Sequence, residues 1–274
     1  MKFKSYSKLN LALLITGKRS NGFHELYSIF QEIDLYDEIT IKENGDGSKI
    51  TLSSNLKNFP LNHTNTIYKA AALLMPLINK NLVIHVHKNI PSEAGLGGGS
   101  ANAASTLLAL DQMFTLHLPP KKILELADKV GADVPFFIEG NQALVTGRGE
   151  ILKEIFFTFP YHIVLLKPTN FKCSTQEIFK NYAEFLNHPV DKKAVDTFIK
   201  KPTIENLKKL ENHLERPLIN KYPIIAQMKK DLIEQGAFFS MMTGSGSVVF
   251  GLFEKKPKIK KNDAYQIYYT TARN

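Results

Sequence analysis

Three short stretches combine residue types and spacings that could do chemistry. In YSKLNLALL, Tyr6, Lys8 and Asn10 recur at every second position. An extended strand therefore puts an ammonium and a carboxamide on one face and Leu9, Leu11 and Leu13 on the other. In GADVPFF, Asp133 offers a carboxylate just before Pro135, which presses Val134 towards an extended conformation. In PSEAGLGGGSANAAS, four glycines fill five positions from Gly95 to Gly99. Glycine has no Cβ to keep a ligand off the main chain, and it reaches φ > 0 without steric cost. A cation, a carboxylate and a bare main-chain surface are the parts needed to hold an anion and to accept a proton beside it.

Taken singly, each stretch has a plainer explanation. Lys8 and Asn10 on the polar face of a strand are expected to be exposed to solvent. Asp133 serves equally well as a turn or helix-capping aspartate. Gly/Ser-rich runs are often flexible linkers.

The elements around the glycines argue for an anion site. Upstream, LVIHVHKNI alternates, with Leu82, Ile84 and Val86 on one face and Val83, His85 and His87 on the other, which predicts a strand. Downstream, ANAASTLLALDQMF predicts a helix, with Ser100 as its N-cap and Ala101 opening it. Strand, glycine loop and helix N-terminus together aim unpaired N–H groups and the positive end of the helix dipole at the loop. The spacing matches neither G-x-G-x-x-G nor the lysine-bearing Walker loop, so a phosphate loop of another kind is implied.

Elsewhere, residues 3–16 and IFQEIDLYDEITIKE read as extended, and the ENGDGSK turn suits a hairpin. NTIYKAAALLMPLIN reads as a helix bent or ended by Pro76. PPKKILELADKVG reads as another, stopped by Gly131. QALVTGRGE and YHIVLLK predict strands on either side of a domain boundary near 155–160. Helices follow at about 174–186, 203–214 and 222–235, and then a second glycine loop, MMTGSGSVVFGLF, feeds a strand. The mixture lacks a βαβ rhythm, so the expected class is α+β.

The chain has 274 residues, 43% hydrophobic and 22% charged, which suits one large or two ordinary globular domains. Asn10 interrupts the short apolar N-terminal run, so a signal peptide is not expected, and no stretch has the length of a membrane span. The single cysteine, Cys173, excludes an internal disulfide and fits a cytoplasmic protein. The net charge of +9 suits an anionic partner. The lysine run EKKPKIKKN reads as a solvated segment, and no nucleic-acid-binding signature accompanies it, so neither nucleic acid nor membrane is expected as a partner. His85 and His87 lack companions for a metal site, and no protein-held metal is expected.

SKLNL, NGFHEL, PSEAGLGGGSANAA, GADVPFF and TGSGSVVF occur in this order, and together they resemble the GHMP kinases over about residues 5–253. The first two stretches resemble most the branch whose small-molecule acceptor is cytidine diphosphate methylerythritol. The resemblance implies two domains, an N-terminal ribosomal-protein-S5-like α/β domain over 1–157 and a C-terminal ferredoxin-like α+β domain over 158–274. It implies that ATP is wrapped by Pro91, Ser92, Glu93, Ala94, Gly95 and Leu96, and then by Gly97, Gly98, Gly99, Ser100 and Ala101. Asn65 falls near the adenine. The loop has no lysine of its own, so the helix dipole, the Ser100 hydroxyl and Mg²⁺ are left to balance the phosphates. Lys8 and Asp133 become the catalytic pair. Asp133 takes the proton of the acceptor hydroxyl, and Lys8 keeps it ionised and oriented. Asn10 bonds the methylerythritol part, while Phe23, His24 and Phe179 form a cytosine clamp. Phe23 stands where this branch has Tyr, and Ser7 where it has Ala before the lysine. The chain is expected as a monomer or weak homodimer. The competing readings are a GHMP kinase for homoserine, mevalonate or a sugar, and a non-catalytic ATP-binding sensor of the same fold.

Overall fold

The alternation in KFKSYSKLNLALLITGK forms strand β1 (Lys2–Lys18), which pairs with the long strand β2 (His24–Asp46). The computed structural model describes residues 1–20, 22–169, 178 and 190–273. They fall into two compact units, and β1 and β2 each run through both. The first unit takes Met1–Ser7, Leu35–Ser92 and Gly97–Gly140, the second Lys8–Asp34, Glu93–Leu96 and Asn141–Asn274. The boundary expected at 157/158 falls in the second unit, between two strands.

In the first unit, β3 (Ile50–Ser54), α1 (Thr66–Ile78), β4 (Lys80–His87), α2 (Gly98–Met113), α3 (Pro120–Val130) and α4 (Val134–Glu139) follow one another. Strand β4 runs antiparallel to β2, with Ile84 opposite Ile41, and β3 runs parallel to β4, with Leu52 opposite Ile84. These three buried side chains make one apolar row across the sheet. His85 and His87 lie on the exposed face, as the alternation requires. The hairpin expected at ENGDGSK does not form, because β4 lies between β2 and β3. The Asn81 side chain holds the turn instead, donating to the carbonyls of Asn44 and Asp46 and accepting from the Lys49 N–H. Helix α1 passes through Pro76 and ends at Asn79, whose φ of 48° is left-handed. The small buried residues Ala101, Ala103 and Ala104 let α2 pack closely among the other helices.

In the second unit, β5 (Gln142–Gly147) pairs antiparallel with β2 and β6 (Ile151–Glu154) with β5. A separate antiparallel sheet has the order β10 (Tyr265–Thr271), β7 (His162–Pro168), β9 (Val249–Phe253), β8 (Phe239–Met242). Helices α5 (Lys193–Lys200), α6 (Ile204–Leu207), α7 (Glu215–Lys221) and α8 (Pro223–Glu234) lie between β7 and β8 in sequence. Ile225, Met228 and Leu232 of α8 share a core with Val164, Leu166 and Val249 of that sheet. The class is α+β.

The helix expected at 203–214 contracts to the single turn of α6. Residues 211–213 are drawn out beside β1, where Leu13 N–H donates to Glu211 O (2.9 Å) and His213 N–H to Leu13 O (2.8 Å). The helix expected at about 174–186 lies outside the described residues except for Ile178, which is buried. Among the described residues no helix is long and apolar enough to cross a membrane.

Candidate active site

Lys8 and Asn10 overturn the expectation of exposure. They are only 3% and 1% exposed, because β1 is buried on both faces from Ser7 to Ile15. The Lys8 ammonium donates to Asn10 Oδ1 (2.5 Å) and lies 4.4 Å from the centre of the Phe30 ring. A buried ammonium is costly unless polar or π-electron density faces it, and both contacts provide that. Asn10 is fixed in turn. Its Nδ2 donates to Ser28 Oγ, and its backbone N–H donates to Thr243 Oγ1, both at 2.9 Å. Lys8 N–H donates to Leu96 O (3.0 Å), tying the strand to the glycine segment Glu93–Leu96. These contacts all lie within the second unit. In the first unit Ser7, the departure noted above, uses its hydroxyl to bond Leu35 O (2.7 Å).

Gly95 meets the second glycine loop. Its φ is +75°, and a Cβ there would stand 2.1 Å from the backbone oxygen of Thr243. Val248 N–H donates to Ala94 O (3.3 Å) on the same side. Gly95 is therefore required by backbone packing as well as by any ligand.

The rest of the loop belongs to the first unit, where buried Pro91 and exposed Ser92 lead from β4. Helix α2 begins three residues before the predicted start, so Ser100 lies in its first turn and does not cap it. Gly97 is the cap, left-handed with φ 69°, and it has no side chain with which to bond the first N–H groups. That is what an anion cradle requires: main-chain donors left open at the positive end of a sixteen-residue helix. A Cβ on Gly99 would make only ordinary contact with Thr66 Oγ1 at 3.5 Å, whereas one on Gly98 would press Ile90 at 3.0 Å.

A lysine that the motifs do not contain reaches this helix end. Lys88 forms a buried ion pair with Asp37, and its Nζ would lie 3.5 Å from a Cβ on Gly98. Asp37 also accepts from the N–H groups of Asn89 and Ile90, both at 2.8 Å, which fixes the entry to the loop. The sequence signal was a lysine three residues before Pro91, outside the glycine run. Asn65 caps α1. Its Oδ1 accepts from Ile67 N–H, and its Nδ2 donates to Pro60 O.

Asp133 stands at the head of α4, half-buried, and its side chain makes no capping bond to that helix. The turn before α4 carries a backbone hydrogen bond from Val134 N–H to Gly131 O (3.1 Å).

Phe23 is 53% exposed, with the Arg148 guanidinium 5.8 Å from its ring centre. Burial, helped by the positive charge of Lys18, lowers the pKa of His24 below the usual imidazole value. Phe179 lies outside the described residues. Among the described residues no group of three or more His, Cys, Asp or Glu is placed to hold a metal. His85 Nδ1 is within hydrogen-bond distance of Ser53 Oγ (2.9 Å).

Residues 65–141 match the GHMP kinases N terminal domain and residues 197–268 the GHMP kinases C terminal domain. The chain is 38% identical to a 4-diphosphocytidyl-2-C-methyl-D-erythritol kinase of Alkaliphilus metalliredigens, over 95% of this chain and 90% of that one. A crystal structure of 4-(cytidine 5'-diphospho)-2C-methyl-D-erythritol kinase is similar with a TM-score of 0.80 and 26% identity, covering all of both chains. The mevalonate kinase of Methanococcus jannaschii shares the fold at a TM-score of 0.72 and 16% identity, over 100% of this chain and 98% of that one.

Proposed function

Because the chain belongs to the GHMP kinases, we propose that it transfers the γ-phosphoryl group of ATP to the 2-hydroxyl of 4-diphosphocytidyl-2-C-methyl-D-erythritol, in the methylerythritol phosphate route to isoprenoid precursors. Likeness over nearly the whole chain to a kinase of that name carries the acceptor. The buried Lys8–Asn10 pair supports the chemistry, since a strand gains no stability from enclosing an ammonium that has no task.

ATP binds with its phosphates against the uncapped first turn of α2, where Gly97, Gly98 and Gly99 leave the main chain bare and the Ser100 hydroxyl is at hand. Lys88, paired with Asp37, brings its ammonium to that helix end. Mg²⁺ would neutralise charge on the phosphate oxygens, an ion usually bound through those oxygens, water and one or two carboxylates. The Asp133 carboxylate accepts the proton of the 2-hydroxyl. The oxygen bonds to the γ-phosphorus, the bond to the bridging oxygen breaks, and ADP leaves. Lys8 orients the reacting groups and opposes the negative charge on the group in flight. Asn10 positions the methylerythritol part. Phe23 stacks on cytosine, and His24, held neutral, bonds its edge.

ADP release with this acceptor, mevalonate, homoserine and galactose tests the proposal. The cytidine acceptor should exceed the others in kcat/KM by about 10²-fold or more. A preference for another alcohol would overturn the acceptor. ATP binding with no turnover on any of them would favour the sensor.

A further inference from the structure

We propose that Asn212 and Glu215 are positioning residues that clamp the second glycine loop, residues 242–247, and through Thr243 hold Asn10 and Lys8 in register for phosphoryl transfer. The catalytic part of this inference rests on the function proposed above.

Both side chains are buried, 5% and 9% exposed, and each directs one polar atom at the backbone around Thr243. Asn212 Nδ2 donates to Met242 O and to Gly244 O, each at 2.8 Å, while its Oδ1 accepts from Leu214 N–H (3.0 Å). Glu215 Oε2 accepts from Met242 N–H (2.7 Å), and its Oε1 is paired with Lys229. The residues on either side of Thr243 are thus fastened from one side. On the other side, Thr243 Oγ1 accepts from Asn10 N–H (2.9 Å) and lies 3.4 Å from both Asn10 Oδ1 and Gly95 O. Asn10 Oδ1 is the acceptor for the Lys8 ammonium. One relay of hydrogen bonds therefore runs from Asn212 through the loop to Lys8, and all of it lies within the second unit.

The same segment also grips β1 directly. Leu13 is bonded to Glu211 and His213, and His213 Nδ1 accepts from Ile15 N–H (3.2 Å). The strand is thereby anchored a few residues beyond Asn10, and the loop sets the position of Asn10 itself. A purely structural role would be met by packing, which Leu214, Leu218 and Met228 already provide beneath the segment. Two buried polar side chains that each bond the backbone of one six-residue loop instead fix a geometry.

Asn212→Asp keeps the shape and the acceptor for Leu214, but removes both donors to the loop. Hydrogen exchange at the Lys8 and Asn10 amides gives a readout independent of any acceptor, and kcat and KM for ATP and the cytidine acceptor give the catalytic one. Asn212→Asp should speed exchange at Asn10 and lower kcat by roughly 10- to 100-fold with each KM within about threefold, the mark of misplaced rather than missing groups. Glu215→Gln, which still offers an acceptor to Met242 N–H, should keep kcat within about threefold of wild type. Thr243→Val serves should Asn212→Asp fail to fold, and it should show the same exchange and kcat losses. Unchanged exchange at Asn10 together with wild-type kcat in a folded variant would overturn the proposal. Were the wild type inactive on the cytidine acceptor, the functional reading would fail, and exchange at Asn10 would still decide the clamp.

Discussion

Gly95→Ala separates the two glycine requirements in the loop. The new methyl would stand 2.1 Å from Thr243 O, 2.9 Å from Thr243 C and 3.1 Å from Gly246 N, at a φ of +75°. The left-handed backbone alone costs alanine roughly 1–2 kcal/mol. The clash is with main chain, so no rotamer relieves it. Opening the contact from 2.1 Å to the 3.0 Å below which real Cβ atoms essentially never come moves the Glu93–Leu96 segment and the second loop apart by about 0.9 Å. Lys8 and Asn10 are bonded to those same two segments, Lys8 to Leu96 O and Asn10 to Thr243 Oγ1. A misplacement of about 1 Å among reacting groups costs on the order of 10² in rate, close to 2.7 kcal/mol of transition-state stabilisation. Steady-state turnover and thermal melts on the same preparation should show kcat down by about 10²-fold and a melting temperature lower by roughly 2–8 °C. Gly99→Ala is the control, since its methyl meets only Thr66 Oγ1 at 3.5 Å with no positive φ. Helix propensity should leave its melting point unchanged or raised, while a methyl among the phosphate-binding amides weakens ATP. A folded Gly95→Ala enzyme with wild-type kcat, or Gly99→Ala with wild-type ATP affinity, would refute the reasoning.

Asp133→Asn keeps the shape at the head of α4 but cannot take a proton, so single-turnover transfer should slow by roughly 10²- to 10⁴-fold with little change in melting temperature. Near-normal transfer would return the residue to a structural role. Exchanging cytidine for uridine in the acceptor replaces an amino donor with a carbonyl, and kcat/KM should fall by about 10²-fold or more; equal values would remove the cytosine clamp. Burial and Lys18 lower the His24 pKa, so the native, acceptor-binding form favours the neutral ring. Its contribution to stability is complete above the ordinary value of about 6.5 and is lost as pH falls through the lowered value. Acceptor KM measured across that range should rise towards acid, and the rise should vanish in His24→Gln; a rise that persists would assign the pH effect to another group.

What was legible in the sequence was local. The strand–glycine–helix order and the alternation that buries Leu82, Ile84 and Val86 rest on spacings of a few residues. Partners distant in the chain hid the rest. Alternation in β1 points to a single buried face, yet the strand is covered on both, and Lys8 and Asn10 are enclosed. A Ser before an alanine run fits the usual cap, but left-handed Gly97 starts α2 earlier. The ENGDGSK turn has hairpin chemistry, and Asn81, more than thirty residues on, diverts it. Apolar spacing over 203–214 suits a helix until Leu13 pulls Asn212 alongside β1. Lys88 escaped notice because its ammonium reaches the loop only through the pairing with Asp37 on β2.

The most direct test of the central claim is the position of the new phosphate. With ATP and 4-diphosphocytidyl-2-C-methyl-D-erythritol, the product should give a phosphomonoester ³¹P resonance with no three-bond coupling to a carbinol proton, because carbon 2 bears a methyl group and no hydrogen. The signal should grow in step with ADP and fail to appear with Asp133→Asn over the same interval. A proton-coupled phosphomonoester, or ADP formed with inorganic phosphate and no new ester, would contradict the account.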